Sequence, residues 1–160
     1  MPWTQVKEFL DQQSIPYVTI SHSPAYTAQG IAASAHVKGR ELAKTVIIKV
    51  KGKLAMAVLP APYKVNFDRL KAAVGDSTAT LASEHEFEEL FPDCELGAMP
   101  PFGNLYGMDV YVSGSLTEDE EIAFNAGSHS ELIRMAFRDF ERLVHPKIVH
   151  FSTHSDSTRH

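Results

Sequence analysis

Thr45-Val46-Ile47-Ile48-Lys49-Val50-Lys51-Gly52-Lys53-Leu54-Ala55-Met56-Ala57-Val58-Leu59 is the stretch that decides the fold. Two apolar runs, the first rich in β-branched residues, flank the short Lys51-Gly52-Lys53 connection. Runs of this length and composition read as strands, and a Gly-containing connection of this size closes a hairpin. A hairpin is antiparallel by construction. Its runs are continuously apolar, without the alternation of a half-solvated sheet, so cover is expected on both faces.

Upstream, Val6, Phe9 and Leu10 place one apolar face on a helix over residues 4–13, broken at 14–16. Residues 17–20 form a short strand and residues 27–36 an Ala-rich helix. Downstream, Asn66 caps a helix running to Val74, with Phe67, Leu70, Ala73 and Val74 facing inward. Ser83 and Glu86 form a capping box that opens a short helix to Leu90. Strands are expected at 108–112, at 121–125 and 132–135 around the 127–130 turn, and at 148–151. A helix over 137–144 stops before Pro146. Interspersed helices and strands with an obligatory antiparallel pair favour a mixed, mostly antiparallel sheet in one α+β domain over a doubly wound parallel sheet. That domain spans 1–152, and residues 153–160 read as a disordered polar tail.

At 160 residues, 44% hydrophobic and 22% charged, the chain is an ordinary globular domain with a proper core. Cys94 is the one cysteine, which excludes an intrachain disulfide and a multi-Cys metal site. No apolar run reaches membrane-span length, and the start Met1-Pro2-Trp3-Thr4-Gln5 lacks the basic and apolar parts of a signal peptide. A soluble cytoplasmic protein with no membrane partner is expected. The net charge of −5 argues against broad wrapping of nucleic acid. The charges are unevenly spread: residues 38–71 carry nine Lys or Arg against Glu41 and Asp68, and residues 72–133 carry thirteen acids and no Lys or Arg. Such asymmetry either makes a local positive field or is a solvated lysine face.

Three places can carry chemistry. Lys44 sits where a polar turn meets an apolar strand, so it either snorkels or projects into a pocket rim. An ammonium at such a rim can hold a phosphate or an ester carbonyl. Gly97-Ala98-Met99-Pro100-Pro101-Phe102-Gly103 is uncharged and dense in glycine and proline. It is either a plain turn or a rigid loop whose amides (Gly97, Ala98, Met99, Phe102, Gly103) face a developing oxyanion or the substrate. Asn125-Ala126-Gly127-Ser128-His129-Ser130 can set a serine and a histidine beside an ester. A Ser/His nucleophile is disfavoured, because there is no Gly-x-Ser-x-Gly elbow and no identifiable orienting acid. Eight histidines invite a metal, but no His-Glu-x-x-His motif or zinc-like spacing stands out, so none is expected. Without a Walker loop or dinucleotide fingerprint, no cofactor is expected either.

Taken together, these motifs resemble the YbaK-type aminoacyl-tRNA deacylases, which include the editing domain inserted in bacterial prolyl-tRNA synthetase. The resemblance is carried by Gly39-Arg40-Glu41-Leu42-Ala43-Lys44-Thr45-Val46-Ile47-Ile48-Lys49, by Gly97-x-x-x-Pro101, and by Phe124-Asn125-Ala126-Gly127-Ser128-His129, in the family's order. It runs from about Val18 to about Phe151 and implies a curled mixed sheet surrounded by helices. By this resemblance, Lys44, Gly97 and Pro101 are the catalytic candidates. Ala98, Met99, Pro100 and Phe102 line the aminoacyl pocket, and Gly127, Ser128 and His129 shape specificity. His22, Tyr26 and Thr27 close one side of it. Gln29-Gly30 stands where many relatives carry an acid.

The implied reaction is hydrolysis of a mischarged aminoacyl-tRNA, with the tRNA acceptor end as partner and an aminoacyl-tRNA synthetase as a further one. A pocket discriminates a small apolar difference by only about 1–3 kcal/mol, so a second hydrolytic sieve is needed. Met99, Pro100, Pro101 and Tyr26 leave room for a small side chain, and Thr27, Ser128 and His129 offer hydrogen bonds. Alanine, serine or threonine is therefore the expected class. The rival reading is a non-catalytic binder of aminoacyl-tRNA or of a related aminoacyl or nucleotide ligand.

Overall fold

The computed structural model describes residues 5–21, 41–92, 94–95, 98–118, 120–128 and 130–154, with the backbone alone at Glu118 and His154. The central hairpin pairs β2 (Leu42–Val50) with β3 (Lys53–Pro60), in register from Ala43–Pro60 to Val50–Lys53. Lys51 and Gly52 take positive φ (54° and 77°), the two-residue turn whose twist matches that of the strands. Lys53 therefore belongs to the strand. Asp76 Oδ2 accepts the Lys51 N–H at 2.6 Å and holds the turn.

The other strands extend this pair into one mixed sheet. They are β1 (Val18–Ser21), β5 (Thr80–Leu81), β6 (Asp109–Ser113), β7 (Glu121–Ser128), β8 (Glu131–Ala136) and β9 (Lys147–Val149). The order is β1-β8-β7-β2-β3-β6-β9, with β5 on β2. β7 joins β2 in parallel, as β6 joins β3 and β9 joins β6, and the remaining pairs of this sheet are antiparallel. A separate ribbon pairs β4 (Tyr63–Val65) with β10 (Ser152–His154). Among the described residues this is the expected single α+β domain with a curled mixed sheet.

Both faces of the hairpin are covered, as its continuous hydrophobicity requires. On one face lies the main core, which includes Ala43, Ile47, Met56 and Val58 together with Val6 and Leu10 of α1 (Gln5–Gln12) and Phe137, Phe140 and Val144 of α4 (Phe137–Val144). On the other lies a second core of Ile48, Val50, Ala57, Leu59, Tyr111 and Phe151 with Leu70 of α2 (Phe67–Val74). α2 begins as its sequence predicts: Asn66 Oδ1 accepts the Arg69 N–H at 3.0 Å. α4 ends at His145 in the left-handed region, its N–H on Glu141 O at 2.9 Å, just before Pro146.

Two expectations need correction. The Ser83 side chain makes no cap bond on α3 (Glu84–Phe87); the Glu86 N–H goes to the Ser83 carbonyl instead, at 3.0 Å. Thr153 and His154, assigned to the polar tail, pair with Lys64 and Tyr63. What holds them is the bond from Asn66 N–H to Phe151 O at 2.6 Å and the contact between Ser113 Oγ and Ser152 Oγ at 2.6 Å. The Ala-rich helix expected over 27–36 and residues 155–160 lie outside the described residues.

Gly103 shows how tightly the Gly/Pro-rich loop is built in. A Cβ there would stand 2.5 Å from Met108 O and 2.6 Å from Val110 Cγ2. The Met108 N–H also bonds Gly103 O at 2.9 Å, so the backbone cannot withdraw freely. Gly103→Ala is expected to cost about 1–3 kcal/mol of stability. Urea unfolding followed by circular dichroism measures it, and an unchanged midpoint contradicts this close packing.

Candidate active site

Alternation along β2 decides where Lys44 points. Ala43 and Ile47 face the main core, whereas Val46, Ile48 and Val50 face the second. Lys44 therefore stands on the second-core face, beyond Val46 and opposite Leu59 of β3. It is half-buried there. Burial, and secondarily the charge of Lys64 on β4, lower its pKa below the ordinary lysine value of 10.5. Both effects disfavour the charged form of its side chain.

β7 flanks Lys44 on the other side. The parallel ladder pairs Leu42 with Ala123 and Ala43 with Phe124. The next residues, Lys44 and Asn125, therefore fall on neighbouring strands and on the same face. Sequence reading leaves Asn125 out of the candidate set. Its signal is one polar residue inside the apolar run Ile122-Ala123-Phe124-Asn125-Ala126.

β7 then departs from regular pairing. Its register on β8 runs Asn125–Leu132 and then Ser128–Glu131, so Ala126 and Gly127 form a bulge left out of the ladder. Gly127 has φ of +96°, which an L side chain rarely adopts. Its peptide groups, freed from the ladder, dock the Gly/Pro-rich loop: the Glu95 N–H donates to Gly127 O at 2.7 Å, and the Gly127 N–H donates to Ala98 O at 3.0 Å. Two motifs almost thirty residues apart thus meet. From the other side, Lys7 of α1 makes a buried ion pair with Glu131, where β8 begins.

The structure joins Ala98 to Gly127 and places Lys44 on the strand beside β7, and it reassigns several loop residues. Ala98, Pro100 and Pro101 are buried. Met99 and Phe102, expected to line the pocket, belong to the main core. Phe102 is fully buried, with ring centroids of Phe124 at 5.5 Å, Phe140 at 5.4 Å and Phe9 at 6.2 Å. It anchors the loop. The Ala98 N–H, counted among the available amides, is taken by Glu95 O at 3.0 Å. Ser128 Oγ lies 3.4 Å from Ser130 Oγ. His22, Tyr26, Thr27, Gly97 and His129 lie outside the described residues.

Comparison with known proteins accounts for this architecture. The model of the aminoacyl-tRNA editing domain matches residues 22–143. The chain belongs to that family. It is 29% identical over 150 residues to the multifunctional Ser/Thr-tRNA deacylase ProXp-y of Escherichia coli K12, covering 89% of this chain and 87% of that protein. It is 30% identical over 73 residues to a proline–tRNA ligase of Bacillus mycoides, covering 46% of this chain and 13% of the ligase. A crystal structure of the hypothetical protein APE2540 shares the fold, with a TM-score of 0.82 at 21% identity over 92% of this chain and 99% of that one.

Lys44 yields a stability prediction. With its folded pKa below 10.5, the unfolded chain binds more protons between the two values. Stability contributed through this group therefore rises with pH across that window, and the charged lysine is a net cost at neutral pH. Lys44→Met is expected to leave Tm at pH 7 unchanged or raised, by scanning calorimetry. A clear fall in Tm would make Lys44 a structural residue.

Proposed function

We propose that the chain acts in trans on tRNA mischarged with a small amino acid, with serine and threonine ahead of alanine. The observation that carries the reading is Lys44: a half-buried ammonium with a lowered pKa, on the strand beside the bulge that docks the loop. Family membership and the Ser/Thr-tRNA deacylase relative support the same class of substrate.

An aminoacyl ester is already activated, so its hydrolysis needs a placed water and charge stabilisation more than a strong nucleophile. Water attacks the ester carbon, and the carbonyl oxygen becomes an oxyanion beside the Lys44 ammonium. The C–O bond to the ribose breaks as the intermediate collapses. The ribose oxygen takes the proton that the water gives up, and the free amino acid and tRNA leave. The vicinal ribose hydroxyl orients the water. Lys64, exposed on β4 and close enough to lower the Lys44 pKa, adds positive charge for the phosphates of the acceptor end. The Gly97 and His129 roles implied by the resemblance remain part of this proposal, as does a synthetase that delivers the substrate. The short match to proline–tRNA ligases supports that partner. Among the described residues no helix is long and apolar enough to cross a membrane. The proposed place of action is the cytoplasm.

Hydrolysis rates on Ser-, Thr-, Ala-, Cys- and Pro-charged tRNA at equal concentration test the substrate class. Serine or threonine is expected to be released fastest. Fastest release of cysteine or proline contradicts the small, hydrogen-bonding pocket, and no release from any ester favours a pure binder. Lys44→Ala is expected to lower kcat/KM about 100- to 1,000-fold on the preferred ester. Wild-type activity is also expected to fall as pH rises through the lowered Lys44 pKa, because the ammonium is the working form. A near-wild-type rate for the variant removes Lys44 from the mechanism.

A further inference from the structure

Asn125 Oδ1 is sealed from solvent and has no hydrogen-bond partner among the described residues. Buried acceptors are almost always paired, so an orphan beside a reaction site calls for an account. Phe124 and Ala126 both face the main core, which turns Asn125 to the opposite face, that of Lys44. Around the two lie Leu42, Ala123 and Leu132, all buried and all on that face by their register. The result is an apolar floor carrying Lys44 and one neutral acceptor, with Arg134, opposite Ala123 on β8, at its far side.

An aminoacyl ester brings to this floor a carbonyl, ribose hydroxyls and an α-amino group. Lys44 donates and cannot accept, so it suits the carbonyl oxygen and repels a protonated amine. The amine's N–H bonds need an acceptor. A carboxylate in that place would pair with Lys44 and neutralise it, whereas an amide oxygen accepts and leaves the ammonium free. We infer that the half-buried Asn125 side chain turns its Oδ1 to the α-amino group of the entering aminoacyl ester and thereby directs the ester carbonyl toward Lys44. This inference rests on the deacylase reading above. It makes the charged α-ammonium group part of recognition: an N-acylated or peptidyl ester keeps one amide N–H but loses the charge and adds bulk beside Asn125, so it is cleaved more slowly.

The test compares kcat/KM on seryl-tRNA and N-acetyl-seryl-tRNA, with the alanyl pair alongside, for the wild-type chain and Asn125→Ala. Wild type is expected to prefer the free amine by about ten- to a hundredfold. Asn125→Ala is expected to lose most of that preference through a higher KM on the free-amine ester, with a much smaller change on the N-acetyl ester. Its Tm is expected to be unchanged or raised, because the variant removes an orphan acceptor rather than a hydrogen bond. Equal cleavage of the two esters by wild type overturns the inference without recourse to any variant. An equal loss on both esters in Asn125→Ala overturns it as well. Cleavage of neither ester by wild type contradicts the deacylase reading, and the inference falls with it.

Discussion

The reciprocal hydrogen bonds between Gly127 and the 95–98 segment are the constraint on which the rest of the site depends. Without them the start of the Gly/Pro-rich loop would lose its hydrogen bonds to β7, and the loop would be tied down by Met99, Phe102 and Gly103 further along. With them, a carbonyl and an N–H freed from the β7–β8 ladder are both satisfied by the loop, at 2.7 and 3.0 Å. That exchange needs the peptide to turn out of the ladder, and φ of +96° at Gly127 supplies the turn. The buried Lys7–Glu131 pair then holds α1 against the start of β8. Breaking such a pair would leave one buried charge uncompensated, which makes α1 part of the site's support.

A second constraint acts through register. β2 carries both the core of the sheet and Lys44, and its side-chain period is two. A one-residue slip of the hairpin would send Lys44 into the main core and Ala43 to the site. The pairing from Ala43–Pro60 to Val50–Lys53, closed by the two-residue turn, excludes that slip. Ten apolar residues on the two strands, Leu42, Ala43, Ile47, Ile48, Val50 and those at 55–59, are buried, so the lysine's desolvation cost is carried by the hairpin. In the proposed mechanism function draws on stability stored elsewhere, a common arrangement for a charged group held out of water.

Much of this was legible in the sequence, for local reasons. The central hairpin, α2 from its Asn66 cap, and α4 with Phe137, Phe140 and Val144 on one face all follow from periodicity and capping chemistry. Lys44 was legible as a lysine at a strand edge, and its family motif singled it out. What escaped depended on contacts distant in sequence. β7 continues to Ser128 because Gly127 bulges and the loop takes up its peptide groups, which no local pattern announces. Met99 and Phe102 turn inward because aromatic rings from α1, β7 and α4 meet there. Thr153 and His154 look like a polar tail until Phe151 is buried and pinned to Asn66. Asn125 was hidden inside an apolar strand, and only the parallel pairing of β2 with β7 shows that it shares a face with Lys44.

The central claim is that a desolvated ammonium on an apolar floor hydrolyses the ester with water and without a side-chain nucleophile. Ser128 and Ser130, half-buried at the turn, are the nearest rivals for that role. Rapid-quench single turnover of radiolabelled seryl-tRNA, with mass spectrometry of the quenched protein, tests the claim most directly. The account predicts free serine released at the rate of ester loss, no seryl adduct on the protein, and turnover that survives, slowed through substrate binding alone, in a Ser128→Ala/Ser130→Ala variant. A covalent seryl species at either serine, formed and consumed at the turnover rate, would contradict it.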